Sequence, residues 1–153
     1  MKIKVIAVGK IKEKYFIDAI FEYEKRLKSL CDLKLIEVKE VNTLDINKNK
    51  LEEAKNILAK VDDNDYVITL EVQGDTLNSL ELADFIKKHY TFSPKTLTFI
   101  IGGSDGLDES VIKASNMHLS FSDFTFPHQL MRVILLEQIY RSMMIINNKP
   151  YHK

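Results

Sequence analysis

The chain switches between two hydrophobic periods along its length. Lys2–Val8 alternates charged and β-branched residues and meets Gly9, which predicts a first strand. After a basic loop at Lys10–Lys14, Tyr15–Leu30 sets Phe16, Ile17, Ile20, Phe21, Tyr23 and Leu27 at helical spacing among charges. Leu33–Val38 alternates again. Asn47–Lys60 carries Leu51, Ala54, Ile57 and Leu58 as a second amphipathic helix, and Asp62-Asp63-Asn64 reads as a turn. Tyr66–Val72, YVITLEV, is nearly continuous in apolar residues, as befits a strand covered on both faces, and Gly74 reads as its terminator. Ser79–Tyr90 is predicted helical with Ser79 as its N-cap. Leu97–Ile101 is another buried strand, running into Gly102-Gly103. Asp108–Ser115 is a short helix with acidic residues at its positive end, and Met117–Phe121 is a last strand. Pro127 suits the first turn of a long final helix that reaches about Asn147.

Strands alternating with helices predict an α/β fold. The sheet is expected to be mainly parallel, with helices on both faces, in a single domain over residues 1–153. The final helix adds an expectation of its own. At about 100° per residue, its early polar side is His128, Gln129 and Arg132, while its later polar side, Glu137, Gln138 and Arg141, lies opposite. That pattern predicts a buried face that changes side along the helix, against its own sheet and then a second subunit. A central core helix in a monomer is the alternative.

Composition changes little of this. Hydrophobic residues make up 45% of 153, enough for a sizeable core. The single cysteine, Cys31, permits no intrachain disulfide and reads as a packing residue. The N-terminus does not read as a signal peptide and no apolar run is long enough to span a bilayer, so a soluble, cytoplasmic protein is expected. No metal site is indicated. Net charge is zero, but it is unevenly spread. Residues 1–30 hold eight basic and four acidic side chains, and residues 128–153 hold four and one. The middle is acidic. If the ends meet in space they form a local basic patch for phosphate; otherwise this is ordinary surface charge.

Two stretches carry candidate chemistry. Gly102–Gly106 follows a buried strand, at the sheet edge where α/β folds bind ligands. It fits neither a phosphate-binding loop of the Gly-Lys-Ser/Thr kind nor G-x-G-x-x-G, and taken alone a tight strand-to-helix turn is the better explanation. In Phe121–Phe126, phenylalanines at 121, 124 and 126 alternate with Ser122, Asp123 and Thr125. Such a loop offers backbone groups to a flat heterocycle between apolar walls, or simply plugs the core. Tyr151 and His152 close the chain. A histidine can move protons near neutrality and a tyrosine can stack on a base, though terminal residues are commonly inert.

Taken together and in order, VIAVGKIKEKY with EYEKRL, VITLEVQG, FIIGGSDGL, LSFSDFTFPHQLMRVILLEQIYR and the terminal PYHK make the chain resemble the ribosomal large-subunit methyltransferase H family, small members of the SPOUT superfamily. The resemblance spans essentially the whole chain. It implies a C-terminal trefoil knot, which periodicity could not reveal and general fold rules disfavour. It implies S-adenosylmethionine held by Leu70, Gly102 and the run Phe121, Ser122, Asp123, Phe124, Thr125 and Phe126. It implies a homodimer, a pseudouridine of 23S rRNA methylated at N3 on the assembled ribosome, and catalytic or substrate-handling roles for Arg141, Tyr151 and His152. The competing expectations are a ribosome-binding factor of the same fold without turnover, a SPOUT enzyme with another RNA target, and an unrelated nucleotide-binding α/β protein.

Overall fold

The computed structural model describes residues 1–153. Five parallel strands form one sheet: β1 (Lys2–Val8), β2 (Asp32–Val38), β3 (Asp65–Thr76), β4 (Thr96–Ile101) and β5 (Met117–Ser120), in the order β2-β1-β4-β3-β5. Five helices connect them: α1 (Lys14–Leu27), α2 (Ile46–Leu58), α3 (Ser79–Phe92), α4 (Glu109–Ala114) and α5 (His128–Ile146).

Side-chain alternation along the strands builds two cores. Ile3, Val5 and Ala7 of β1 face the same way as Leu97, Phe99 and Ile101 of β4, and are covered by α1, α3 and α5. Ile6, Val8, Val67 and Ile100 face the other way, beneath α2 and α4. Each fully buried aliphatic side chain contributes about 1.5–3 kcal/mol, so both faces are needed to hold the sheet. Lys4 is buried within the second layer, where its Nζ donates to Asp65 and Asp62 at 2.7 and 2.6 Å.

Several local readings are corrected. β3 does not stop at Gly74. It continues to Thr76, and its register against β5 shifts, so that Leu119 pairs with both Leu70 and Asp75 and residues 71–74 bulge out of the ladder between them. The cap of α3 is Asn78, not Ser79. Its side chain accepts from the Leu80 and Glu81 amides, and Glu81 accepts from the Asn78 amide in return. Ser79 instead donates to Gln138 of α5 at 2.7 Å. Asn78→Ala is therefore expected to lower stability by about 1 kcal/mol, measured as a shifted urea midpoint; an unchanged midpoint would show the cap to be idle.

In α5 the buried side does not change. Arg132, Leu135, Leu136, Ile139, Ser142 and Met143 form one continuous stripe, and Pro127 caps the helix rather than opening its first turn. Arg132 lies in that stripe because β1 ends beside it. Its guanidinium donates to the carbonyls of Val8 and Gly9 and pairs with Glu37 at 2.9 Å. These bonds offset part of the cost of burying a charge. The face opposite the stripe keeps Leu130, Val133, Ile134, Met144 and Ile145 half-buried in the single chain.

Candidate functional site

The carboxyl ends of β3 and β4, the glycine turn and the loop after β5 enclose a cavity of about 670 Å³. Its volume is that of a site for a small molecule. The Gly102–Gly106 turn folds back on itself, with Gly106 at φ +79° donating to the Gly103 carbonyl at 3.1 Å. A Cβ on Gly102 would fall 3.0 Å from the Gly106 carbonyl carbon and 3.1 Å from Leu107 Cγ, so a larger residue would push the turn outward. Beneath it, Glu53 is buried, and its carboxylate accepts from the Val41 amide at 2.9 Å. Burial pushes the Glu53 carboxyl above its ordinary range. The Val41 amide partly opposes this, while the neighbouring charges of Glu40 and Asp105 add to it.

On the far wall, Ser122 Oγ accepts from the Phe124 amide at 3.0 Å and holds the loop as a turn. The amides of Thr125 and Phe126 have no partner within the chain, which leaves two donors at the cavity wall. Phe124 forms an outer lip, 78% exposed. The structure thus brings Leu70, Gly102, Phe121, Ser122, Phe124, Thr125 and Phe126 around one space; Asp123 is exposed and does not line it. Gly103, Ser104 and Gly106 of the glycine turn and Leu107 after it line the space too, while sequence reasoning missed Glu71, His128 and Met131, which line it as well. His128 could have been found, since the first turn of a helix that follows a binding loop faces the same space.

The three residues at the other end of α5 form a second cluster. Glu137 Oε1 accepts from Arg141 Nη2 and Nε at 2.6 and 3.0 Å and from the Tyr151 hydroxyl at 3.2 Å. The hydrogen bond to Glu137 raises the Arg141 guanidinium above its ordinary value, so it stays charged. The Tyr151 ring packs under Arg141 at 4.7 Å and edge-on to Tyr140 at 4.9 Å. His152 Nδ1 lies 3.4 Å from Arg141 Nη1. Arg26 of α1 lies over the rings of Tyr23 and Tyr140, 5.8 and 5.6 Å from their centroids. One arginine from each end of the chain therefore comes together here with aromatic rings between them, each guanidinium paired with a carboxylate of its own helix, Arg26 with Glu22 and Arg141 with Glu137. Glu137, Tyr23, Arg26 and Tyr140 were missed; the spacing of Glu137 and Arg141, four apart on a helix, was the available signal.

A family model described as "Predicted SPOUT methyltransferase" matches residues 1–152. The chain belongs to the SPOUT methyltransferase family. Membership carries with it the knotted C-terminal topology. The SPOUT proteins most similar in sequence include the ribosomal RNA large subunit methyltransferases H of Finegoldia magna, 51% identical, and Pediococcus pentosaceus, 47% identical, each alignment covering 100% of both chains. Among solved structures, a tRNA (m1G37) methyltransferase from Aquifex aeolicus matches with a TM-score of 0.59 at 15% identity, over 100% of this chain and 75% of that one. A probable methyltransferase from Bordetella pertussis matches with a TM-score of 0.58 at 10% identity, over 93% and 94%. These two likenesses concern the SPOUT fold only.

Cys31 has no part in either cluster; burial pushes its thiol up to about 11, which leaves it an inert packing residue. No helix is long and apolar enough to cross a membrane, and no three His, Cys, Asp or Glu side chains are grouped to hold a metal.

Proposed function

We propose that this chain is a cytoplasmic, S-adenosylmethionine-dependent methyltransferase of large-subunit ribosomal RNA, acting at N3 of a pseudouridine on the assembled ribosome. The reading is supported by full-length relatives named for that RNA. The observation that carries it is the cavity. It is apolar on most of its wall, with two free amides on the Phe121–Phe126 loop for a heterocycle and one carboxylate, an arrangement that fits a nucleoside bearing positive charge. When bound, S-adenosylmethionine supplies an electrophilic methyl group on its sulfonium sulfur.

The chain's own residues then position the acceptor and manage its charge. N3 of the base carries a proton that must leave; it passes to solvent water, and the imide that loses it becomes negative. Arg141, held by Glu137 through Nε and Nη2, gives one Nη1 hydrogen to His152 and keeps the other to stabilise that charge. In this geometry His152 Nδ1 accepts from Arg141, so its Nε2 carries the hydrogen and donates to the base rather than taking a proton. Tyr151 offers a ring for stacking.

The two clusters lie far apart within a single subunit, which favours a site shared between two. His128 lines the cavity, while Arg141 lies thirteen residues further along α5, about 20 Å at 1.5 Å per residue. A homodimer formed through the half-buried apolar face of α5 would set one subunit's cavity beside its partner's basic cluster. Large-subunit RNA from cells lacking the gene should lose the methyl group on pseudouridine, read by mass mapping; an unchanged map sinks the substrate assignment. Mixing a Gly102→Val protein with one lacking residues 150–153 should restore some activity, and no recovery would count against a shared site.

A further inference from the structure

We propose that Glu71 binds the ammonium group of the methyl donor, with Thr69 and His118 setting its carboxylate in place. The inference rests on reading the cavity as an S-adenosylmethionine site. Glu71 is the first residue of the segment that bulges out between the two pairings of Leu119; its side chain lies on the same strand face as that of Thr69, and it lines the cavity. It is the only carboxylate on the cavity wall, which holds no lysine or arginine. Its side chain is 21% exposed, so this is not a free surface charge.

The carboxylate is fixed through one oxygen. Oε1 accepts from the hydroxyl of Thr69, a fully buried residue, at 2.5 Å and from His118 Nδ1 at 2.9 Å. His118 stands beside Thr69 in the β3–β5 ladder, so the two donors come from adjacent strands and their spacing is set by the sheet. Oε2 makes no hydrogen bond within the chain and remains as an acceptor. A cation entering an apolar cavity loses hydration that only a counter-charge or strong acceptor can replace. Of the donor's two cationic centres the sulfonium has no hydrogen to give, whereas the ammonium has three. A carboxylate with one anchored and one open oxygen therefore suits the ammonium.

E71Q removes the charge and keeps the shape. By calorimetry it should weaken S-adenosylmethionine and S-adenosylhomocysteine alike, by about tenfold or more. It should leave 5′-methylthioadenosine, which lacks the amino-acid moiety, within about twofold. Unchanged affinity for S-adenosylmethionine would overturn the proposal, as would an equal loss for methylthioadenosine, which would mean a role toward the ribose or in shape. A loss confined to S-adenosylmethionine would move the contact to the sulfonium and overturn it too. If the unaltered protein binds none of the three, the cofactor reading itself fails. Should E71Q not fold, H118A removes one anchoring donor. It should weaken the two amino-acid-bearing ligands by about threefold and spare the third; a uniform effect or none would reject the proposal.

Discussion

Gly74→Ala should cost this protein more than 3 kcal/mol, a large share of the roughly 5–15 kcal/mol that holds a domain together. A Cβ at residue 74 would lie 2.8 Å from the carbonyl carbons of His118 and Leu119 and from the Leu119 nitrogen. All three are backbone atoms, so no rotamer change relieves the contact. Overpacking between side chains costs about 1–3 kcal/mol because neighbours can shift. Here the neighbour is a strand held by two sets of pairings, Leu70 with Leu119 before the bulge and Asp75 with Leu119 after it. To admit a methyl group, β3 and β5 must part where the bulge returns to the ladder. The wall that carries Leu70 and Glu71 would move with them, so ligand affinity should fall alongside stability. Urea denaturation of the variant checks the first effect and calorimetry the second. A midpoint equal to that of the parent would mean that the strands are not so close.

Gly74 also shows where sequence reasoning reached and where it stopped. A glycine after a run of β-branched residues marks either the end of a strand or a close approach within it, and one-dimensional pattern cannot separate the two. All five strands and all five helices were legible because their periods of 2 and 3.6 come from local geometry. The order of the strands was not, since parallel neighbours are joined across the sheet and leave no local mark. Arg132 was misread for a related reason. Its place in the buried stripe depends on the carbonyls of Val8 and Gly9, more than 120 residues earlier, which need a donor. Of the candidate site, the glycine turn stood out as paired glycines at the end of a buried strand, and the loop as phenylalanines alternating with small polar residues. Glu71 did not. Within YVITLEV it reads as the one charged residue of a strand, and its place on the cavity wall depends on the glycine turn and the loop after β5, far away in the chain.

Arg141→Ala should lower turnover by about 10²- to 10³-fold, the range for losing one donor that stabilises a developing anion. The affinity for the methyl donor should stay within about twofold, since Arg141 does not line the cavity. His152→Ala should cost less, about tenfold, because its ring donates one hydrogen bond and does not carry the proton away. The order of the two effects tests the mechanism. Were His152 the general base, its removal would cost about 10²- to 10⁴-fold and rival or exceed the loss of Arg141. The observed contact argues for the first order, because Nδ1 of His152 faces a guanidinium, which has no lone pair to offer and can only donate. Glu137 supplies an internal control. It holds Arg141 through two bonds and Tyr151 through a third, so Glu137→Gln should loosen the whole cluster and reproduce part of both losses without touching the cavity. Single-turnover transfer of a labelled methyl group to ribosomes, beside calorimetric binding of the donor, separates these effects. Equal losses of turnover and donor affinity in Arg141→Ala would make the cluster a structural element, and a larger loss in His152→Ala would return the proton to the histidine.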